Sequence, residues 1–359
     1  MLSTAGAIGD ASPVPESLGG STSDLIARII AADGSVEAML ALAAYCGTIA
    51  PVYGAGNTLQ RWDLLATIAA EDVSAARVVE AHLDALAILG EAADTPTFDC
   101  SQLLPLGVTD ASTWGVFAAE ASGVRLQAES VPGGWELSGV KPWCSLAGWL
   151  SHALVTAYTP GGDRRLFAVA LQDGTVRPTG QQWVARGLQQ VPSTSIELSH
   201  TPAIPVGPDS WYLSRPGFAW GGAGVAACWF GGAVGVARHL MASGAAKPAD
   251  QLADLHLGAV DVALTGVRAV LHQAARQIDN RLAEGDDGAL MALRVRAAAA
   301  AAAEEVLQRS AHALGPAPLA LDDRHARRIA DLQMYVRQHH AERDVAALGR
   351  AVRAGGGQW

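Results

Sequence analysis

Apolar residues recur three and four apart from Ser23 to about Ala93, in three groups: Leu25 with Ile29 and Ile30, then Ala38 to Ile49, then Arg61 to Ala92. That period predicts amphipathic helices. Within the third group Asp72 stands where a helix cap is needed, and Arg77, Glu80, His82 and Asp84 fall in the turns after it. His82 reads as a helix-face residue with a local partner. Pro96, Pro105 and Gly107 interrupt the pattern between Thr95 and Asp110. From Trp114 to Pro208 short extended runs take over, at 114–120, 124–129, 135–138, 153–158, 165–171 and 194–198. Turn signals such as Pro160-Gly-Gly-Asp and Gln172-Asp-Gly separate them. A small antiparallel barrel or sandwich follows from that spacing. After Pro216 the helical period returns over 217–243, 249–283, 286–313 and 323–353, lengths that suit a bundle. Gly315-Pro-Ala-Pro-Leu parts the last two helices, and the alanine run Ala297–Ala303 is a strong helix former.

The expected class is therefore α+β, in four segments. Residues 1–22 are small, polar and rich in Gly, Pro and Ser, and are expected to be disordered. Residues 23–110 form an N-terminal helical domain, 111–210 a central antiparallel β-barrel or sandwich, and 211–359 a C-terminal four-helix bundle. One stretch tests this reading: Gly217 to Ala237 runs 21 residues without a charge between Arg215 and Arg238, long enough to cross a bilayer. It carries seven glycines and neither Leu nor Ile. Small residues at four-residue spacing let helices approach closely, so we read it as a buried central helix and expect no membrane association.

Charge and cysteine content narrow the partners. With 25 basic against 35 acidic residues the net charge is −10, and the electrostatic footprint of a nucleic-acid binder is missing. Cys46, Cys100, Cys144 and Cys228 are too dispersed for a zinc site or a disulfide framework. No metal is expected, and a reducing cytoplasm fits. The first residues lack the basic and apolar regions of a signal peptide.

Candidate chemistry concentrates in Gly133 to Gly148, Gly-Gly-Trp-Glu-Leu-Ser-Gly-Val-Lys-Pro-Trp-Cys-Ser-Leu-Ala-Gly. An indole followed by two small polar side chains at a sheet edge offers a flat ligand a stacking face and nearby hydrogen-bonding groups. The element from Leu137 to Ala147 resembles the Gly-x-Lys-x-Trp-Ile-(Thr/Ser) strand of the acyl-CoA dehydrogenase superfamily. Phe167-Ala-Val, Trp183-Val-Ala-Arg-Gly-Leu, Thr194-Ser-Ile-Glu-Leu and Ala203-Ile-Pro follow in the family's order. His312-Ala-Leu-Gly-Pro and Ala330-Asp-Leu resemble its Gly-Gly turn and Arg-Asp pair. The resemblance covers nearly all of the chain from about residue 55.

It implies FAD between the β-domain and the bundle, with Trp143 against the isoalloxazine and Cys144 and Ser145 near its polar edge. Of the family's flavin-binding strand end and loop, Ala118-Ala-Glu-Ala-Ser-Gly keeps Glu120 and Ser122, and Gly315 of the turn completes the cofactor set. The family's Arg-x-x-Phe-Gly segment is replaced by Ser243 to Leu252, which contains Lys247. No carboxylate stands in Gly224 to Gly232, one of the family's two places for its catalytic Glu. Counting on from Asp331, the other place falls at His339, with Glu342 close by. A histidine can take a proton at neutral pH; the same charged stretch also reads as a solvated helix with ion pairs. The leading expectation is a homodimeric or homotetrameric FAD enzyme that dehydrogenates the CH–CH unit of an acyl thioester. A monooxygenase of the same fold supplied with reduced flavin is the alternative, and a non-catalytic relative that binds a partner is the third.

Overall fold

The computed structural model describes residues 22–245 and 250–356; the expected disordered segment, apart from Thr22, and Lys247 lie outside the described residues. The N-terminal block comprises α1 (Thr22–Ala32), α2 (Val36–Ile49), α3 (Thr58–Glu71) and α4 (Val73–Ala93). Local chemistry sets its joints: the Ser35 hydroxyl accepts the Ala38 N–H at the start of α2, and the Asp72 carboxylate accepts the Ala75 N–H at the start of α4. Helix α4 is the keel. Val78, Val79 and Leu83 join the main helical core, whereas Ala85, Ile88, Leu89 and Ala92 pack under Trp114, Leu154 and Leu166 of the β-domain. His82 holds that junction: its buried Nδ1 accepts the Trp114 N–H at 3.2 Å. Burial lowers its pKa to about 4, so it stays neutral and structural.

The β-domain contains β1 (Trp114–Phe117), β2 (Leu126–Val131), β3 (Gly134–Ser145), β4 (His152–Tyr158), β5 (Arg164–Ala170), β6 (Val176–Pro178) and β7 (Ser193–Val206). Strands β2, β3, β7, β5 and β4 pair in that order, and Gln127 opposite Tyr158 closes the ring into a barrel. The expectation of a purely antiparallel domain needs correcting, because β1 and β2 both run parallel to β4. They behave as one strand interrupted by the turn at Ala121–Val124. The β2–β3 hairpin before β4 supplies the long connection that parallel pairing requires.

The chain then forms α5 (Trp211–Ser214), α6 (Pro216–Ala245), α7 (Gln251–Asp279), α8 (Gly285–Leu314), α9 (Ala317–Leu321), α10 (Asp323–Tyr335) and α11 (Glu342–Ala351). Helix α6 is long and apolar enough to cross a membrane. In the fold it is the central helix, with Ala223, Ala226, Ala227, Trp229, Ala233 and Val236 buried between α3 and α8.

The helix expected to run unbroken from Asp323 to Arg353 is a second correction. After Tyr335 it tightens into a 3-10 turn at Val336–Gln338, His339 is extended, and Ala341 takes φ of 47° before α11 begins. No Gly or Pro marks the break. Side chains make it: Arg296 takes the Gln338 carbonyl at 2.8 Å, and the Asp344 carboxylate accepts the His340 N–H at 3.0 Å. His339 and Glu342 are therefore not on one helix.

Candidate functional site

The β3–β7 register slips between Lys141 and Cys144, and this bulge sorts the side chains. Lys141 turns inward, where its ammonium donates to Glu120 Oε1 at 2.8 Å and to Thr156 O and Oγ1 at 2.9 and 3.0 Å. Cys144 also turns inward, its thiol facing the Lys141 carbonyl at 3.3 Å, so it offers no polar group on the outer side. Trp143 is thrown out, with φ of 60° and 55% of its surface exposed. An exposed indole at a buckled sheet edge is a platform for a flat ligand. Glu120 serves Lys141 and Arg164, Ser122 sits in an exposed turn, and Gly315 closes α8 with φ of 68°.

Ser145, two residues past the platform, leads into the interior. Its hydroxyl pairs with that of Ser193 at 2.7 Å and accepts from Arg77 Nη2 at 3.3 Å. Arg77 Nη1 donates to Glu80 Oε2 at 3.0 Å, and the Tyr335 hydroxyl donates to the same oxygen at 3.2 Å. Burial pushes the Glu80 pKa up while Arg77 opposes it, so the carboxylate is held by its two donors rather than free to act. Trp229 stands edge-on to Tyr335 and to His339, with centroids 6.3 and 6.2 Å apart. Arg296 lies 4.7 Å over the Trp229 ring and bonds Gly222 O as well as Gln338 O, which pins the turn carrying His339.

His339 is 8% exposed, and among the described residues neither its Nε2 nor Trp229 Nε1 has a hydrogen-bond partner. Burial depresses the His339 pKa first, Arg296 adds to this, and Asp344, 3.8 Å from Nε2, opposes it. The imidazole is thus a neutral, buried base with one open nitrogen. Glu342 begins α11 on the surface, outside this network.

Asp331 fastens the frame. Its carboxylate accepts the Leu188 N–H at 2.6 Å and the Ser74 hydroxyl at 3.0 Å, joining α10 to the β-domain and to α4. Burial raises its pKa to about 6 despite those donors. Because the folded value lies above the unfolded one, this site favours the fold below about pH 4, and that preference is lost as pH rises through about 6. Asp331→Asn should flatten that part of the stability profile, by up to about 3 kcal/mol, in thermal melts between pH 4 and 7. Superimposable wild-type and variant profiles would contradict the assignment.

The sequence pointed to Trp143, Ser145 and His339 but not to Arg77, Glu80, Tyr335, Trp229 or Arg296. A signal existed for the first two: Arg77, Glu80 and Asp84 form a charged row on a helix whose neighbouring positions are apolar.

No protein-family model matches the chain, and no curated protein matches it in sequence. Solved structures do match in fold. KijD3, in complex with FMN and dTDP-3-amino-2,3,6-trideoxy-4-keto-3-methyl-D-glucose, shares 18% identity over 98% of this chain and 96% of its own, with a TM-score of 0.78. The dibenzothiophene monooxygenase TdsC from Paenibacillus sp. A11-2, bound to FMN and indole, shares 16% identity over 91% of this chain and 94% of its own, at 0.74. A steroid ACAD, the Tcur3481-Tcur3483 G363A variant, shares 18% over 97% and 99%, at 0.71. The chain has the acyl-CoA dehydrogenase fold.

Proposed function

We propose that this chain is a flavin-dependent oxidoreductase of the monooxygenase kind, taking up reduced flavin and acting with dioxygen on a small organic substrate. The observation that carries this is His339: a buried imidazole with an unpaired Nε2, its pKa held down by burial, falls at the place reached by counting on from Asp331, where the family resemblance puts the dehydrogenases' carboxylate base. TdsC, a monooxygenase, and KijD3 bind FMN in this fold, which supports a flavin here. The residues present fit one: an exposed Trp143 to stack on, and the paired hydroxyls of Ser145, two residues further along β3, and of Ser193 opposite it on β7. The Arg-x-x-Phe-Gly segment that the resemblance assigns to the FAD pyrophosphate is replaced by Ser243 to Leu252, and Glu120 of the flavin-binding loop is spent on Lys141 and Arg164, which favours FMN over FAD.

When bound, the flavin supplies the redox chemistry that side chains lack. His339 gives or takes a proton at Nε2, and Arg296 and Asp344 hold the imidazole in place. The Trp229 and Tyr335 rings keep water from the interior. Dehydrogenation of an acyl thioester with FAD is the competing reading, supported by the steroid ACAD fold match and by the capacity of a neutral histidine to act as base. The deciding measurement is turnover: the oxygenase needs both dioxygen and a supply of reduced flavin. Anaerobic bleaching of bound flavin by an acyl-CoA would overturn it in favour of the dehydrogenase.

Trp143→Ala should weaken flavin binding about tenfold or more, read by quenching of flavin fluorescence, with the fold intact because the ring is exposed. Unchanged affinity would remove Trp143 from the cofactor site.

A further inference from the structure

Where α3 ends against α6 and α10, a cavity of about 360 Å³ opens to the surface, lined by the guanidiniums of Arg238, Arg324 and Arg328 and the carboxylates of Glu71 and Asp322. Three fixed positive charges face two negative ones, a local excess of +1 in a chain whose net charge is −10. The carboxylates are occupied. Glu71 is shared between Arg238 at 3.1 Å and Arg324 at 2.8 Å, and Asp322 caps α10 by accepting the His325 N–H at 3.0 Å. Arg328 Nη2 donates to the Glu71 carbonyl at 3.1 Å, but its buried Nε has no partner among the described residues.

A second orphan lies in the same wall. His325 is 2% exposed, stacks on His239 with centroids 4.1 Å apart, and its Nδ1 is buried without a hydrogen bond among the described residues. Leaving two buried polar nitrogens unpaired costs stability unless a ligand satisfies them. Gly235 lets Arg328 lie close against α6, because a Cβ there would stand 2.8 Å from Arg328 Nε. The cap, first turn and second turn of α10 supply Asp322, Arg324, His325 and Arg328, so the positive end of the helix adds to the same field.

We propose that this cleft is a phosphate-binding site, receiving a phosphate group either free or at the end of a nucleotide. Guanidiniums match the oxygens of a tetrahedral anion through paired N–H donors, and the Arg238 and Arg324 side chains stay partly exposed at the cleft. The inference stands apart from the flavin reading, since it involves none of the residues around Trp143.

The test is calorimetric titration of the full chain, without flavin, with inorganic phosphate and in parallel with AMP. Saturable binding of phosphate is expected, weakened about tenfold or more in Arg328→Gln. Should that variant fail to fold, Arg324→Gln serves, since its side chain is largely exposed and should weaken binding several-fold without disturbing the core. AMP tighter than phosphate identifies a nucleotide; equal affinities identify the phosphate group alone; either supports the site. Absence of saturable binding, or unchanged affinity in the Arg324 variant, overturns it.

Discussion

Replacing His339 by alanine should lower turnover by about 10²- to 10⁴-fold while flavin affinity stays near wild type. The split is expected because His339 lies buried beside Trp229, whereas the flavin platform is the exposed Trp143. Its side chain makes no hydrogen bond through Nε2, so its removal orphans no partner there and the fold should persist. The pH profile adds a readout that a structural role would not move. Burial and Arg296 depress the imidazole pKa, so activity that needs the neutral form should be flat at neutral pH and fall only below the ordinary histidine range. Asp344 opposes that depression. Asp344→Asn should therefore move the acid limb to still lower pH. The same sign governs stability: the folded state resists protonating His339, so the site is fully stabilising above about pH 6.5 and loses that contribution as pH falls. Wild-type turnover in His339→Ala would sink the assignment.

How much of this was legible depends on which physical rule governed each piece. Helices α1 to α4 and α6 to α8 follow from apolar periodicity, and Asp72 announced its cap because that carboxylate competes only with the local backbone. The strands were legible too, but their pairing was not. Nothing in Trp114–Phe117 says that it will lie parallel to β4, since that depends on where a hairpin further along the chain is placed. In β3 a strict two-residue period puts Lys141, Trp143 and Ser145 on one face. The bulge breaks that period, sending Lys141 and Cys144 inward and Trp143 outward, which is why the cysteine was expected beside the cofactor and lies in the core. The break after Tyr335 was hidden for a related reason. It rests on Arg296, some forty residues earlier in the chain, and no local propensity encodes a bond made from another helix.

Helix α6 offers the largest effect on stability. Gly231→Val should cost about 3 kcal/mol or more, or prevent folding, because α3 and α6 touch backbone to backbone at that point. A Cβ added to Gly231 would stand 2.6 Å from Ala66 Cα, and closer still to the Ala66 carbonyl oxygen. One turn on, Gly235 meets the Ala70 carbonyl in the same way. Neither obstacle is a flexible side chain that can swing aside, so the helices must separate, and the dispersion attraction between small side chains drawn apart along the seam adds to the cost. Gly266 in α7 is the control: none of the described residues lies within 4 Å of a Cβ built there, so Gly266→Ala should gain about 0.5–1 kcal/mol from helix propensity alone. Denaturant titrations of the two variants separate close packing from a general intolerance of helices to change. The seam bears on chemistry as well, because Trp229 precedes Gly231 by half a turn and faces His339. A milder Gly231→Ala that still folds should therefore shift the tryptophan fluorescence and lower turnover together; a variant with wild-type melting and wild-type turnover would mean that the glycines of α6 are not what lets it lie against α3.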